Sequence, residues 1–229
     1  MPKLGLTSTL STSGLATPGI VTDNLVLKHN YAAGGVGPIS DGAAFFDGTD
    51  DYIAISSQTY NIDGANVSFA WWSKITDTSS QNLVMASSNT YKNINLHSNG
   101  SLYIESDTNE DSSSAAFTQD NNWHHYAIVC ASGTVSMYED GLALSMNDDS
   151  VSDDITFNKI STSSSKVFNG YICNVGIWNG TALTAVQVKS IMNKNYADLI
   201  DSEKTNLESW WNLSADANDS HGSNNGTLS

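Results

Sequence analysis

Residues 123–141 read WHHYAIVCASGTVSMYEDG, and their apolar and turn residues indicate the architecture of the domain. The segment 123–131 carries apolar residues at both alternating sets of positions, as does a strand packed between two layers. The chain then turns at Ser132-Gly133, continues through 134–139 and turns again at Asp140-Gly141, because Gly and Asp tolerate the backbone angles of tight turns. The stretch therefore predicts a central antiparallel hairpin.

Similar short strands flank this hairpin on both sides. Every second residue is apolar over 67–72, 142–146 and 171–177, as in a β-strand. Two further short strands lie on either side of Asn99-Gly100, a dipeptide that favours a hairpin turn. Turn residues recur about every eight to twelve positions, which is typical of a sandwich or barrel. One helix is expected over 184–194, where Thr184 and Gln187 form a capping box. The pattern predicts an all-β antiparallel sandwich with a single short helix in its C-terminal half.

Composition narrows the range of functions. The 229 residues include 24 acidic side chains, nine lysines and no arginine, which gives a formal net charge of −15. A chain without arginine or a basic stripe cannot neutralise a nucleic-acid backbone, so nucleic-acid binding is excluded. The sequence has no run of about 18 apolar residues and no signal-peptide core, so we expect neither membrane insertion nor a cleaved leader. Cys130 and Cys173 lack the paired spacing of a zinc or redox site and are expected to be two buried thiols.

Three regions follow one another along the chain. Residues 1–42 are rich in Gly, Ser, Thr and Pro, contain one firm apolar run at 25–27, and predict an extended N-terminal arm. Residues 43–200 hold the strands and the helix of one large domain. Residues 201–229 form a C-terminal strand and tail.

Four segments resemble, in the same order, the laminin G-like branch of the concanavalin A-like jelly rolls. They are residues 46–53, 67–74, 122–141 and 168–178. The resemblance spans about 43–195 and implies an antiparallel jelly-roll β-sandwich. The tail segments 207–213 and 219–228 resemble the strand and loop that usually open such a domain. Because they stand at the end of this chain, they either complete the sheet from the other terminus or pair with a neighbouring subunit.

Aromatic and acidic side chains supply the candidate binding residues. An exposed aromatic ring can stack on a sugar, and the tryptophans with small or polar neighbours are Trp72, Trp178, Trp210 and Trp211. Calcium takes hard oxygen ligands, and laminin G-like relatives often carry it at the rim of the sandwich. The candidate calcium ligands are Asp47, Asp50, Asp51 and Asp140, with turn capping as the alternative role. His124 and His125 would point to opposite faces of one strand and so cannot share a metal ion.

The segment 105–110, Glu-Ser-Asp-Thr-Asn-Glu, is the sharpest sign of an enzyme. Retaining β-glucanases of this fold carry two glutamates and an aspartate along one strand, with the reacting carboxylates about 5 to 5.5 Å apart. Glu105 and Asp107 share a face in an extended strand, but Glu110 is one residue out of phase and would need a bulge. We interpret the segment as a solvated acidic loop and assign no catalytic residue.

Two hypotheses of function are consistent with the sequence. The arm and the Arg-free, Ser- and Asn-rich strands resemble, in style, structural proteins of marine tailed phages. This resemblance implies a non-enzymatic capsid decoration or appendage subunit on the virion surface, bound to copies of itself and to neighbouring virion proteins. The alternative is a calcium-dependent, lectin-like carbohydrate-binding module, with a β-glucanase-type hydrolase as a less favoured option.

Overall fold

The hairpin of residues 123–141 lies at the centre of one of two antiparallel sheets. The computed structural model describes residues 37–79, 81–87, 92–106, 110–161 and 166–229. Within these residues it contains fourteen strands, one α-helix and one 3-10 helix. The strands are β1 (Ala44–Asp47), β2 (Tyr52–Asn61), β3 (Asn66–Ile75), β4 (Asn82–Ala86), β5 (Asn93–Leu96), β6 (Leu102–Glu105), β7 (Glu110–Ser112), β8 (His124–Ala131), β9 (Thr134–Glu139), β10 (Leu142–Ala143), β11 (Asp154–Ser161), β12 (Asn169–Asn179), β13 (Leu207–Trp211) and β14 (Thr227–Leu228). The helix α1 spans Ala185–Ile191, and the 3-10 helix spans Tyr196–Asp198.

Sheet A holds the hairpin and has the order β1-β12-β3-β8-β9-β10. The hairpin is β8 and β9, which pair from Tyr126 with Glu139 to Ala131 with Thr134. The long strand β12 has two partners along one edge, because β1 pairs with its first half and β13 with its second half. The tail strand β13 therefore completes sheet A within its own chain.

Sheet B has the order β14-β2-β11-β4-β5-β6-β7. The β5–β6 hairpin turns at Asn99 and Gly100 as predicted, with Gly100 at a φ of 90° that suits glycine. The last strand of the chain, β14, pairs with β2 at the opposite edge. The two sheets form the predicted jelly-roll sandwich, so the predicted fold class is confirmed.

The main core lies between the sheets and is built by alternation along the strands. Phe69 and Trp71 of β3 point inward and meet Ile94 and Ile104 of sheet B in one cluster of buried side chains. Cys130 is also in this cluster, whereas Cys173 lies in a separate cluster on the outer face of sheet A. Both thiols are free and buried, as predicted, and burial raises the pKa of each to about 12.

A second core forms where α1 covers the middle of the outer face of sheet A. Thr184 and Gln187 make the predicted capping box, and Val188 and Ile191 pack on Trp178 and Trp210. The two indoles meet edge to face, with ring centroids 6.1 Å apart. Other residues of this second core are Ala70, Ala127, Val129, Tyr138, Leu183, Leu199 and Leu207.

The segment after α1 is fastened by a buried ion pair. The Nζ of Lys194 lies 2.6 Å from Oε1 and 2.7 Å from Oε2 of Glu203, and Ser190 also donates to Glu203. Glu203 is buried, so its charge depends on these donors. The pair holds the chain between α1 and β13 against the helix.

The loop between β13 and β14 is organised by one carboxylate. Oδ1 of Asp219 accepts hydrogen bonds from the backbone N–H groups of Trp210, His221 and Gly222, and Oδ2 accepts from that of Asn224. Burial alone would raise the pKa of Asp219, but these donors hold it below its usual value. Asp219 therefore ties the tail to sheet A.

Residues 37–42 lead into β1 without regular secondary structure. The carbonyl of Ile39 accepts a hydrogen bond from the side chain of Asn174 on β12. The rest of the predicted arm, including the apolar run 25–27, lies outside the described residues. Among the helices of the described ranges, none is long and apolar enough to cross a membrane.

Candidate functional site

The four candidate tryptophans are buried. Their relative exposures are 1% for Trp72, 0% for Trp178, 2% for Trp210 and 0% for Trp211. Each indole N–H donates to an acceptor inside the protein. The acceptors are the carbonyl of Met192 for Trp72, the carbonyl of Glu203 for Trp178, Oδ1 of Asn212 for Trp210 and the carbonyl of Asn224 for Trp211. Because a sugar stacks only on an exposed ring face, none of the four can act as a stacking platform in this structure. This placement corrects the expectation drawn from their small and polar sequence neighbours.

The reason for this burial is the layer that covers sheet A. Trp178 and Trp210 point away from the sandwich core but pack under α1, and Trp72 packs under Met192 just after the helix. Trp211 points the other way, into the main core. Alternation in the sequence distinguishes the two faces of a strand, but it does not show whether another element packs on the outer face.

Three of the four candidate calcium ligands lie together. Asp47, Asp50 and Asp51 each offer a carboxylate oxygen, and these oxygens lie within 4.8 Å of one another. Two of the three carboxylates also cap the turn, since Asp47 accepts from the N–H of Thr49 and Asp51 accepts from the N–H of Asp47. Asp47, Asp50 and Asp51 would hold a hard cation, and turn capping explains the same arrangement without one. Calcium binding stays a prediction.

Asp140 does not belong to this cluster, which corrects the predicted set of four. It follows β9, four strands away from β1, or about 19 Å at the usual strand spacing. Its Oδ2 lies 2.8 Å from Nδ1 of His124, and its Oδ1 accepts from the backbone N–H of His125. Hydrogen bonding to Asp140, and then to Asp120, raises the pKa of His124 to about 9. Asp140 is thus a structural partner of a charged histidine.

The two adjacent histidines lie on opposite faces of β8, as predicted. His124 is close to Tyr126 on the core side, whereas His125 is buried against Trp72 on the outer side. Burial lowers the pKa of His125 to about 3, so this imidazole is neutral. The pair cannot ligate one metal ion.

Glu105 and Glu110 are brought face to face by a hairpin, and no bulge is required. Glu105 ends β6, Glu110 begins β7, and the two residues lie directly opposite each other in the paired strands. Asp107 lies outside the described residues. Glu105 is half-buried, Glu110 is exposed, and Oε2 of Glu105 accepts from Nδ2 of Asn93 at 2.5 Å.

Glu105 is one end of a chain of polar side chains, which we call the polar ladder. Its members, Asn95, Asn93 and Glu105, alternate with core residues of β5 and β6 and so lie on the outer face of sheet B. Nδ2 of Asn95 donates to Oδ1 of Asn93 at 2.7 Å, and Asn93 donates to Glu105. Oδ1 of Asn95 is buried and has no hydrogen-bond partner within the described part of the chain. The ladder thus has a vacant acceptor at its buried end.

Two half-buried or exposed residues extend the ladder toward solvent. Tyr103 of β6 lies opposite Asn95, and its hydroxyl accepts from Nδ2 of Asn99 at 3.0 Å. Glu110 lies opposite Glu105 at the edge strand β7. Amides, carboxylates and a phenol together offer both donors and acceptors, which is what a ligand rich in hydroxyl groups requires. The sequence reasoning missed Asn93 and Asn95, although the Asn-Ile-Asn-Leu alternation of residues 93–96 was visible.

Comparisons with known proteins agree with this fold. The Laminin_G_3 family model, described as the concanavalin A-like lectin/glucanases superfamily, matches residues 47–189. A candidate carbohydrate binding protein from Bacteroides ovatus has a similar structure, with a TM-score of 0.62 and 16% identity over 81% of this chain. The match covers 57% of the Bacteroides protein, so this chain spans little more than half of its length.

Two further solved structures are similar in part. Domain 4 of AbnA, an extracellular arabinanase of Geobacillus stearothermophilus solved with arabinotriose, gives a TM-score of 0.51 and 18% identity, covering 66% of this chain and 76% of that domain. Domains LG4-5 of the mouse laminin alpha1 chain give a TM-score of 0.45 and 17% identity, covering 62% of this chain and 42% of that one. No curated protein matches the sequence. At these identities the structural likeness is one of fold.

Proposed function

The chain belongs to the concanavalin A-like lectin/glucanases superfamily, and we propose that it is a carbohydrate-binding module without catalytic activity. We place the binding surface on the outer face of sheet B, at the polar ladder and Tyr103. The observation that carries this proposal is the row of hydrogen-bonding side chains at Tyr103, Glu105 and Glu110, which are half-buried or exposed on the outer face of sheet B. Asn93 and Asn95 are buried, and Asn95 donates to Asn93 while Asn93 donates to Glu105, so the two asparagines hold Glu105 in position.

The charge of the surface selects among sugars. Glu105 and Glu110 stand side by side on a chain whose formal net charge is −15. Like charges at close range repel, so this surface favours neutral glycans over those that carry carboxylate or sulfate groups.

Binding without turnover fits the surroundings of the glutamate pair. A retaining glycosidase needs a second carboxylate about 5–5.5 Å away and an acid whose pKa is raised by an apolar environment. The pairing of β6 with β7 places the carboxylate of Glu110 next to that of Glu105, but Glu110 is exposed on an edge strand. Glu105 is already engaged by Asn93, which suits a group that positions hydroxyls.

The proposal is tested with neutral oligosaccharides and matched variants. Glu105→Gln and Tyr103→Phe each remove one polar function and keep the shape of the side chain. We expect each to weaken binding at least about fivefold, or about 1 kcal/mol, in titration calorimetry. Asp63→Asn, at an exposed turn far along the chain from the ladder, is the control and should bind as the parent does. Equal binding by all variants would place the site elsewhere, and reducing-sugar release abolished by Glu105→Gln would establish catalysis.

The virion reading stays a prediction. It concerns a capsid decoration or appendage role, self-association, contacts with neighbouring virion proteins and location on the virion surface. A decoration domain can also hold a glycan, so this reading and carbohydrate binding are compatible.

A further inference from the structure

We propose that the outer face of sheet A carries a second glycan-contact surface, formed by the side chains of Phe45, Tyr171 and Trp123. We call it the aromatic strip. The inference rests on the proposed carbohydrate-binding function and adds to it a site on the opposite side of the sandwich.

The register of sheet A places the three rings in one row. Phe45 of β1 pairs with Tyr171 of β12, and Tyr171 pairs with Lys74 of β3. Trp123 directly precedes β8, next to the pair formed by Ser73 and His124. The ring centroids of Phe45 and Tyr171 are 4.9 Å apart, and those of Tyr171 and Trp123 are 6.1 Å apart. The Phe45 and Trp123 rings therefore each lie against the Tyr171 ring.

The strip is open to solvent because the helix ends before it reaches this part of the sheet. Phe45 is 54% exposed, and Tyr171 and Trp123 are partly exposed. Below them, Trp123 packs against the small cluster of Trp72, Cys173 and Met192, which fixes the base of the strip. A rigid, partly exposed set of aromatic rings is suited to stacking on the C–H face of a sugar, since little conformational freedom is lost on binding.

Polar groups next to the rings can bind the hydroxyl groups of the same ligand. Lys74 pairs with Tyr171, and none of the ion pairs between described residues includes it. Asn169 accepts from Thr76 through Oδ1, and its Nδ2 makes no hydrogen bond with any described residue. Lys74 lies beside Tyr171 on β3 and Asn169 lies two residues before it on β12, so both offer donors next to the Tyr171 ring.

Charge and shape define the ligand as an uncharged polysaccharide. Asp47, Asp50 and Asp51 lie at the Phe45 end and outnumber Lys74, the cation beside Tyr171, so a polyanionic chain would be repelled at that end. The Phe45 end also opens into a pocket of about 370 Å³, lined in part by Phe46, Tyr52 and Leu228. This volume falls in the range of small-ligand sites, so the pocket can receive the end unit of a neutral glycan.

Tryptophan fluorescence gives a site-specific test. Of the six tryptophans, all of which lie in described ranges, only Trp123 is not buried. Acrylamide should therefore quench mainly Trp123, and a bound glycan should protect it. The probes are the neutral polysaccharides laminarin, barley β-glucan and galactomannan, with alginate as the anionic comparison.

Variants separate this inference from the proposed function. Phe45→Ala and Tyr171→Ala should each weaken binding about tenfold in affinity electrophoresis and reduce the protection of Trp123. Val186→Ala removes a side chain that is 79% exposed on α1 and should behave as the parent does. The melting temperature of each variant shows that it is folded, and Phe45, being exposed, can be removed with little loss of stability.

The outcomes are distinct. Binding that is lost in Glu105→Gln but kept in both strip variants, without protection of Trp123, overturns the inference and leaves the proposed function standing. If light scattering shows that Phe45→Ala changes the oligomeric state, Phe45 lies in a contact between copies of the chain, and the inference is overturned. If the parent binds none of the neutral polysaccharides, both the proposed function and the inference fail.

Discussion

Asp111 should make the stability of this protein fall as the pH rises from about 4 to 7. The residue lies on β7 opposite Ile104, and its side chain points into the sandwich with 1% exposure. Oδ1 accepts from the N–H of Ser112, but Oδ2 has no partner among the described residues. Burial, assisted by the charges of Asp148 and Asp149, raises the pKa of Asp111 to about 7. The substitution Asp111→Asn removes this titration and keeps the size of the side chain.

The magnitude follows from the pKa shift. The ordinary pKa of the group is 3.8, so the rise to about 7 is roughly three units, or about 4 kcal/mol at 1.36 kcal/mol per unit. A carboxyl group with a raised pKa destabilises the fold only when it ionises, so the full stability is present below pH 4 and is lost as the pH rises through 7. We expect the stability of Asp111→Asn, relative to the parent, to increase by up to about 4 kcal/mol between pH 4 and pH 8.

Urea unfolding followed by tryptophan fluorescence measures this difference at each pH. Asp63→Asn is the control for the loss of one negative charge, because Asp63 is exposed. Taking the difference between variants removes the contribution of every other titrating group. A difference between Asp111→Asn and the parent that stays constant from pH 4 to pH 8 would show that the pKa of Asp111 is not raised by burial.

Three further predictions concern other parts of the structure. Hydrogen bonds to Asp140 and Asp120 raise the pKa of His124 from 6.5 to about 9. The resulting stabilisation, about 3 kcal/mol, is fully present below pH 6.5 and is lost as the pH rises through 9. The free energy of unfolding of His124→Asn, measured in urea at each pH, should lack this alkaline decline. Asp219→Ala leaves four backbone N–H donors without their acceptor and should cost about 3–5 kcal/mol in urea unfolding, whereas a loss below about 1 kcal/mol would contradict its organising role. If the carboxylates at Asp47 and its neighbours hold calcium, a chelator should lower the melting temperature of the parent and leave Asp50→Asn unchanged; identical curves with calcium and with chelator would mean that these residues only cap the turn.

Much of the fold could be predicted because its signals are local. Strand alternation and the turns at Asn99-Gly100 and Ser132-Gly133 depend on residues close in sequence, and both hairpins form as expected. The helix is set by the capping box of Thr184 with Gln187. The opposite orientations of the two histidines on β8 follow from the period of a strand.

The candidate site could be predicted only in part, because its geometry depends on contacts between distant segments. Asp47, Asp50 and Asp51 share one turn and therefore lie together, but Asp140 is separated from them by the order of the strands. Glu105 and Glu110 meet because a hairpin, and not a single strand, carries them. No local pattern shows such pairings in advance.

The class of fold, the hairpins and the capped helix could be predicted from the sequence, since period-two alternation, turn residues and capping residues are properties of the chain alone. Which aromatic rings face solvent depends on tertiary packing. Three of the four candidate tryptophans point away from the sandwich core and are nevertheless buried, because α1 and the chain after it cover that part of sheet A. Phe45 stays exposed on the same face, because the cover ends before it reaches β1. Exposure is a property of packing between elements, and two strands with the same alternation can therefore differ completely in what they present to a ligand.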